Sequence, residues 1–343
     1  MKALIIHGKQ DLRIGDIETD ALGAGQVKLR IRRGGICGSD LHYYFHGGMG
    51  AIRVREPVVL GHEVSGEITE IGPGVEGLAP GDLVAVSPSR PCGTCTYCRE
   101  GLPNQCLNMR FYGSAMPMPH IQGAFRQELV AEAWQCIPAK GLTPAEAAMA
   151  EPLAVCIHAS HQAGDLVGKR VLITGSGPIG VLMTLVARRA GASEIVVSDI
   201  LDKPLEFASA AGADRVINGV TEPDAMTAYQ ADKGYFDVQF ECSSAEVALA
   251  EGIKALRPRG TVVQLGMGGD MSVPMQQITV KELSLKGSFR FHAEFATAVA
   301  FMSKGLIDVK PLLTHEFSYL DHGEAFAVAA DKSQSMKVQF DFA

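Results

Sequence analysis

Four cysteines fall within fifteen residues: Cys92, Cys95, Cys98 and Cys106, in the run PCGTCTYCREGLPNQC. The C-x2-C-x2-C-x7-C spacing lets neighbouring thiolates converge on one ion from a tight turn. Gly93, Gly101 and Pro103 supply turn-forming backbone around them. Thiolates are soft donors that suit Zn²⁺, and four of them close a tetrahedral shell. A closed shell leaves no position for water or substrate, so this ion is expected to be structural. An iron–sulfur cluster is the other metal reading of four cysteines. The metal-free readings are free thiols or disulfides, and disulfides require an oxidising compartment.

Length and composition narrow the setting. The chain has 343 residues, enough for two domains, with 47% hydrophobic and 20% charged residues, as in a globular protein with a sizeable core. A net charge of −7 argues against a nucleic-acid partner. The opening MKALIIHGKQDL has an apolar stretch too short for a signal-peptide core. No apolar run approaches the ~18 residues a membrane span needs, so no membrane association is expected. Eight cysteines without a secretory signal predict a reducing, cytoplasmic setting.

The texture changes near residue 142. Before it, QVKLRIRRGGI, EVSGEITEIG, DLVAVSP and FRQELVAEA read as strands separated by turns, with turn chemistry at GPG 72–74 and PGD 80–82. This half predicts a β-rich barrel or sandwich. TPAEAAMAEPLAVCIHASHQAG then reads as helix, with Thr143 as N-cap, Pro144 at N1, Glu146 at N3, and a break or restart at Pro152. RVLITG, EIVVSD, RVIN, FDVQFE and GTVVQL alternate with helical segments, which predicts a parallel doubly wound sheet. FDVQFECS to LSLKGSF supplies the candidate edge strands. The end of the chain holds a helical stretch, EFATAVAFMSKG, and an alternating strand, MKVQFDF.

RVLITGSGPIGVLMTLVARRAGA places Gly175, Gly177 and Gly180 after an apolar strand and at the start of a helix. That context turns a weak G-x-G-x-x-G match into a dinucleotide fingerprint. Gly175 makes the tight turn, Gly177 admits the pyrophosphate, and Gly180 permits close helix–strand packing. Pro178 and Ile179 open the helix whose free N–H groups face the phosphates. Asp199 ends the next strand, 24 residues past Gly175. A carboxylate there accepts from ribose hydroxyls and repels a 2′-phosphate, favouring NAD over NADP. Lys203 nearby softens that discrimination and keeps NADP possible.

Other ligand types lie on separate segments: Cys37 in RRGGICGSDLHYY, His62 and Glu63 in VVLGHEVSGEI, and Glu151 in MAEPLAV. A thiolate, an imidazole and carboxylates suit an open zinc site. By spacing alone they do not stand apart from core or surface residues. His158 and His161 share a helix face, where packing or capping is the simpler reading, and Cys136, Cys156 and Cys242 read as small core residues.

Taken in order, GGICGSDLHYY, GHEVSG, the four-cysteine loop, AEPLAV and GSGPIG resemble the zinc-dependent medium-chain dehydrogenases essentially end to end. Glu151 stands where the polyol branch of that superfamily carries a glutamate and alcohol dehydrogenases carry a third metal-binding cysteine. Longer strings, PSRPCGTCTYC, NQCLNMRFYGSAM, HASHQAG, KGYFDVQFE, QLGMGG and KGSFRF, narrow the resemblance to aldonate-oxidising members. The resemblance implies two zinc ions per chain, one catalytic and one structural. Cys37 and His62 would ligate the catalytic ion, with Glu63 and Glu151 completing the shell directly or through a water. Zinc would then acidify a substrate hydroxyl, and the carbinol carbon would give hydride to the nicotinamide. Ser39 takes the place of a proton-relay hydroxyl, and His42 that of a solvent-side relay histidine. Tyr43 and Arg290 match substrate-contacting residues, with Phe291 replacing a tyrosine often found beside that arginine.

An aldonate carries a carboxylate that suits a guanidinium fork, for which Arg290 and Arg110 are the candidates and His120 a further one. The implied architecture is α/β: a GroES-like β-rich catalytic domain at 1–149 and 290–343, and a Rossmann domain at 150–289. The site is expected in the cleft between them. A homodimer or homotetramer is implied as well. The competing readings are a sorbitol- or xylitol-type polyol dehydrogenase and a catalytically silent dinucleotide-binding protein.

Overall fold

In the strand Gln26–Gly35, Val27, Leu29 and Ile31 alternate with polar residues and are fully buried. That is the period-two pattern of a strand with one face on a core. Glu63–Ile71, Glu128–Glu132 and Lys337–Asp341 all pair with it antiparallel. Leu83–Val86 and Cys136–Pro138 extend the sheet on one side, and Leu313–Ser318 on the other, giving seven strands. A smaller sheet, Asp11–Asp16, Lys2–Gly8 and Val58–Val59, shares the same core. Phe125, Phe326 and Phe340 are fully buried, and the Phe125 and Phe340 rings meet edge to face at 5.3 Å. The end of the chain is thereby built into the core of its beginning.

The computed structural model describes residues 1–343 as two compact units. The unit just described comprises Met1–Glu151, Phe295–Asp331 and Lys337–Ala343; the other comprises Pro152–Glu294 and Lys332–Met336. No helix is long and apolar enough to cross a membrane.

The second unit holds a six-stranded parallel sheet. Its order is Arg215–Asn218, Glu194–Asp199, Arg170–Thr174, Phe236–Glu241, Leu256–Gln264, Ser284–Gly287. Arg170–Thr174 and Glu194–Asp199 carry uninterrupted apolar stretches, VLI and IVV, because helices cover both faces of such a sheet. The order reverses between Arg170–Thr174 and Phe236–Glu241, which is where a doubly wound sheet opens its ligand crevice. The β-rich unit plus doubly wound sheet expected from the sequence is the architecture observed.

Two local readings differ. Phe236–Glu241 is not an edge strand: it pairs on both sides and lies near the middle of the sheet, while Ser284–Gly287 is the exposed edge. The helical region does divide, but at Met149 rather than Pro152: the helices are Pro144–Ala148 and Ala150–Ala163. Pro152 sits in the first turn of the second helix, where N–H groups have no intrahelical partner and proline is tolerated.

Phe340→Ala deletes a ring that contacts Phe125, Phe326 and Phe342. It is expected to cost about 3–5 kcal/mol of stability, read from urea unfolding curves. An unchanged midpoint would exclude this cluster from the cooperative core.

Candidate active site and metal centres

The cysteine lobe is built from one-turn elements, Thr96–Arg99 and Pro103–Gln105. They bring the sulfurs of Cys92, Cys95, Cys98 and Cys106 within 4.8 Å of one another. Cys95 and Cys106 Sγ are 3.9 Å apart, close to the ~3.8 Å edge of a tetrahedron with Zn–S bonds of about 2.3 Å. All eight cysteines are free, so no disulfide competes for the sulfurs. Backbone N–H groups of Cys92 and Asn108 donate to Cys106 Sγ at 3.2 and 3.3 Å, and that of Cys95 donates to Cys92 Sγ at 3.4 Å. Donors of this kind favour thiolates. The Thr94 N–H, with the Asn108 side chain, pulls the Cys92 thiol down to about 5. Burial and the adjoining cysteines push Cys98 up to about 12. Four sulfurs cannot all be anionic this close without a cation between them, and the donor set fits Zn²⁺.

The second cluster lies where two segments of the same unit meet. Cys37 caps the helix Gly38–His46, His62 precedes the strand Glu63–Ile71, and Glu63 begins it. Their ligand atoms lie within 4.8 Å of one another. Gly35 pairs with Glu63 across the sheet, and a Cβ there would fall 2.2 Å from Glu63 Oε2. Glycine is required beside this carboxylate for space alone. Glu151 is buried in the first turn of the helix Ala150–Ala163.

Sequence reasoning missed two residues of this cluster. The fully buried Lys337, from the last strand, places Nζ 2.7 Å from Glu63 Oε1 and 2.5 Å from Oε2, and donates to the Ile36 carbonyl at 3.1 Å. Burial pulls its pKa down, but the adjoining Glu63 carboxylate outweighs this and raises it above the ordinary lysine range. Asp40, also fully buried, accepts from the N–H groups of Cys37 (3.0 Å) and Gly61 (3.4 Å), and Oδ1 lies 3.9 Å from His62 Nδ1. It ties together the two loops that carry the thiol and the imidazole, the part outer partners play around metal ligands. Asp40 sits at the capping-box position three residues after the N-cap Cys37, but Cys-x-x-Asp lacks the Ser/Thr-x-x-Glu/Gln signature that would have flagged it. Lys337 had no signal either, since a lysine in an alternating strand reads as solvent-facing.

One lysine therefore faces two carboxylates and a thiol in a buried space. Burial, then Glu63, pushes the Cys37 thiol up to about 12. Burial, opposed by His62 and reinforced by Glu63 and Cys37, pushes Glu151 up to about 8. A dication would relieve both, and thiolate, imidazole and carboxylate together suit zinc. The two clusters fit a catalytic and a structural zinc ion.

Around this cluster, Ser39 hydrogen-bonds the Cys37 side chain. His42 is exposed, with its ring 5.6 Å from that of His46. Tyr43 is buried, and its hydroxyl accepts from the Ala115 N–H at 3.2 Å. Arg110 is exposed on a two-residue strand. Arg290 is half-buried in the second unit, with φ +56° and its guanidinium 4.8 Å from the Phe289 ring centre. His120 is occupied structurally: Nε2 accepts from the Arg55 N–H and Nδ1 meets the Pro117 carbonyl. His158 and His161 both place Nδ1 on Glu294 Oε1, at 3.0 and 3.1 Å, a packing role.

In the second unit Gly177 caps the helix Pro178–Arg189, and nothing lies within 4 Å of where its Cβ would be, a cradle open at a helix N-terminus. Gly180 lets the helix pack on the turn, since a Cβ there would sit 1.9 Å from the Gly175 carbonyl. Ile179 accepts from the Cys156 thiol through its carbonyl. Asp199 accepts from the N–H groups of Ser176 (2.6 Å), Ile200 (2.7 Å) and Leu201 (3.1 Å), so the acid holds the glycine turn itself. Lys203 pairs with Glu206 at 2.7 Å.

Residues 23–141 match the alcohol dehydrogenase GroES-like domain family, and residues 178–304 the zinc-binding dehydrogenase family. The chain is 44% identical to L-idonate 5-dehydrogenase (NAD(P)(+)) of Escherichia coli K12, over 99% of this chain and 98% of that one. It is 36% identical to sorbitol dehydrogenase of Macaca fascicularis, over 94% and 91%. The crystal structure of the E. coli L-idonate 5-dehydrogenase superposes with a TM-score of 0.94, covering 99% of this chain and 97% of that one.

Lys337→Met strands Glu63 in a buried site with no compensating cation. It is expected to cost about 3–5 kcal/mol in chelator-treated protein, with part of the loss recovered on adding Zn²⁺. Urea unfolding with and without metal reads both, and a variant as stable as wild type without metal would contradict the charge argument.

Proposed function

The chain belongs to the zinc-dependent alcohol dehydrogenase family, and on that premise we propose that it interconverts L-idonate and 5-keto-D-gluconate, with NAD⁺ preferred and NADP⁺ accepted. It is an oxidoreductase that moves hydride between a secondary alcohol of a small molecule and a nicotinamide. The observation that carries the reading is the convergence of Cys37, His62 and Glu63 in a chain similar over its full length to an L-idonate dehydrogenase.

Bound zinc supplies Lewis acidity that lowers the pKa of a substrate hydroxyl, and the nicotinamide accepts the hydride. Cys37, His62 and Glu63 would hold the ion, with Glu151 completing the set directly or through a water. Lys337 would hold Glu63 in place through its contacts to both carboxylate oxygens, and Asp40 would hold the loops that carry Cys37 and His62. Ser39 would take the hydroxyl proton and pass it toward His42, whose exposure suits transfer to solvent. Tyr43 would present its ring to the substrate, since its hydroxyl is already bonded to backbone. Arg290 would receive the substrate carboxylate as a bidentate fork, with Arg110 as second choice because it is exposed. Asp199 would accept from the adenosine ribose hydroxyls, while Gly175, Gly177 and Gly180, with Pro178 and Ile179, seat the pyrophosphate. Lys203, engaged with Glu206, would only temper the exclusion of NADP⁺.

The similarity to sorbitol dehydrogenases keeps a polyol substrate as the second reading. Retention of the whole donor set argues against a silent dinucleotide-binding protein. The exposed edge strand Ser284–Gly287 would suit assembly as a homodimer or homotetramer. Eight free thiols suit the reducing cytoplasm.

Spectrophotometric assay of NAD⁺ and NADP⁺ reduction on L-idonate, sorbitol and xylitol tests the substrate directly. The highest kcat/KM is expected with L-idonate and NAD⁺, and a preference for a polyol would move the chain to the second reading. Arg290→Met is expected to cost about 2–4 kcal/mol in kcat/KM on aldonates and less on polyols, which lack the carboxylate. Equal losses on both would assign Arg290 to architecture or cofactor.

Cys37→Ser should abolish turnover, leave the fold intact and remove one of two zinc ions. Cys98→Ser should remove the other ion and lower stability. Metal analysis with melting curves separates the two outcomes, and near-normal turnover in a Cys37→Ser protein shown to lack the second ion would sink the assignment.

A further inference from the structure

Glu241, the last residue of the strand Phe236–Glu241, is fully buried. A buried carboxylate is costly unless donors surround it. Its donors here are neutral and come from two loops. Oε1 accepts from the Ser243 N–H at 2.8 Å and from the Ser243 hydroxyl. Oε2 accepts from Gln264 Nε2 at 2.6 Å and from the Ser244 N–H at 3.2 Å. The Glu241 carbonyl accepts from the N–H groups of Leu265 and Gly266, each at 2.9 Å. One residue thus ties the loop leaving its own strand to the loop leaving the strand Leu256–Gln264.

Those loops stand at the ligand-bearing edge of the sheet. A Cβ on Gly175 would meet Ser243 backbone at 2.7 Å, so the Ser243 loop lies directly against the glycine turn, at the point where the strand order reverses. The Cys242 N–H donates to the Thr174 carbonyl at 2.8 Å, joining the two central strand ends. On the far side a Cβ on Gly266 would fall 2.6 Å from Glu241 Oε2 and from Ser244 N. Gln264 commits its amide hydrogens to Glu241 and to the Gly266 carbonyl (2.8 Å), which leaves Oε1 as a buried acceptor with no protein partner. A flipped amide would set its oxygen against two acceptors, so the donors fix this orientation.

We propose that Glu241 is a positioning residue for the dinucleotide: it holds the loops after Phe236–Glu241 and Leu256–Gln264 in the shape that completes the nicotinamide half of the site and keeps Gln264 Oε1 available as an acceptor there. This rests on the dinucleotide reading above. Asp199 does the equivalent work on the adenosine side, where it holds the glycine turn by the Ser176 N–H.

The test is NADH titration, read by protein fluorescence, of wild type and Glu241→Gln, alongside melting curves without cofactor, zinc content and steady-state kinetics. The amide is the same size but turns an acceptor into a donor facing donors. The NADH Kd and the KM for NAD⁺ are expected to rise about tenfold, kcat to change less, and zinc to stay at the wild-type level. A purely structural role would lower the melting temperature while the folded protein bound NADH normally, and that result overturns the proposal. Should Glu241→Gln fail to fold, Ser243→Ala removes one donor, and a Kd about threefold weaker is expected; a wild-type Kd there also overturns it. If wild type itself binds neither NADH nor NADPH, the dinucleotide reading falls and this proposal with it, whereas normal wild-type binding with unaffected variants overturns this proposal alone.

Discussion

The buried pair between Glu63 and Lys337 is the constraint on which the first unit depends. A carboxylate removed from water needs a partner, and this one finds it 274 positions away in sequence. The last strand must therefore return to the middle of the sheet, beside Gln26–Gly35, before the ligand cluster can hold its charge. The demand reaches into the backbone. Gly35 has no side chain because Glu63 fills the space, and Gly61 has none because the Phe125 ring lies 2.1 Å from where its Cβ would be. Core packing around Phe125 and Phe340 and ligand placement at His62 and Glu63 are in this way one structural problem. Such a pair stabilises little in net terms, since desolvation offsets most of the attraction, but losing either partner leaves an unpaired buried charge.

The same logic governs the second unit with neutral donors in place of a cation. Asp199 and Glu241 each end a parallel strand, and each turns its carboxylate on backbone N–H groups of the loops beyond. Strand ends are where a parallel sheet offers its ligand crevice. Loops carry no cross-strand ladder of their own, so short-range carboxylate contacts supply the rigidity that binding a dinucleotide requires. The glycines at 175, 180 and 266 then let the backbones approach closely enough for those contacts to form.

What could be read from the sequence divides along the same line. The four-cysteine lobe was legible because its ligands lie within one local loop, and the glycine turn because strand, glycines and helix are contiguous. The thiol, imidazole and carboxylates at 37, 62, 63 and 151 came from resemblance, since no spacing rule links segments so far apart. Lys337 was invisible: alternation in MKVQFDF marks a strand but not which polar residue turns inward. Glu241 closes FDVQFE, whose polar residues at every second position suit an edge strand, although the strand pairs on both sides. The mistaken edge has a physical source, because the order of strands in a doubly wound sheet is not their order in the chain. Arg110 and Arg290 entered through chemistry and resemblance, and their places, one exposed and one half-buried on a left-handed turn, rank the second above the first.

Zinc K-edge X-ray absorption on wild type and Cys37→Ser tests the central claim most directly. The claim is that one chain holds a closed all-sulfur ion and a separate mixed-ligand ion at Cys37, His62 and Glu63. Wild type should show a first shell of sulfur mixed with nitrogen and oxygen, and Cys37→Ser, reduced to a single ion, should show sulfur alone. A wild-type spectrum with sulfur as the only ligand, or a mixed shell persisting in a single-ion Cys37→Ser protein, would contradict it.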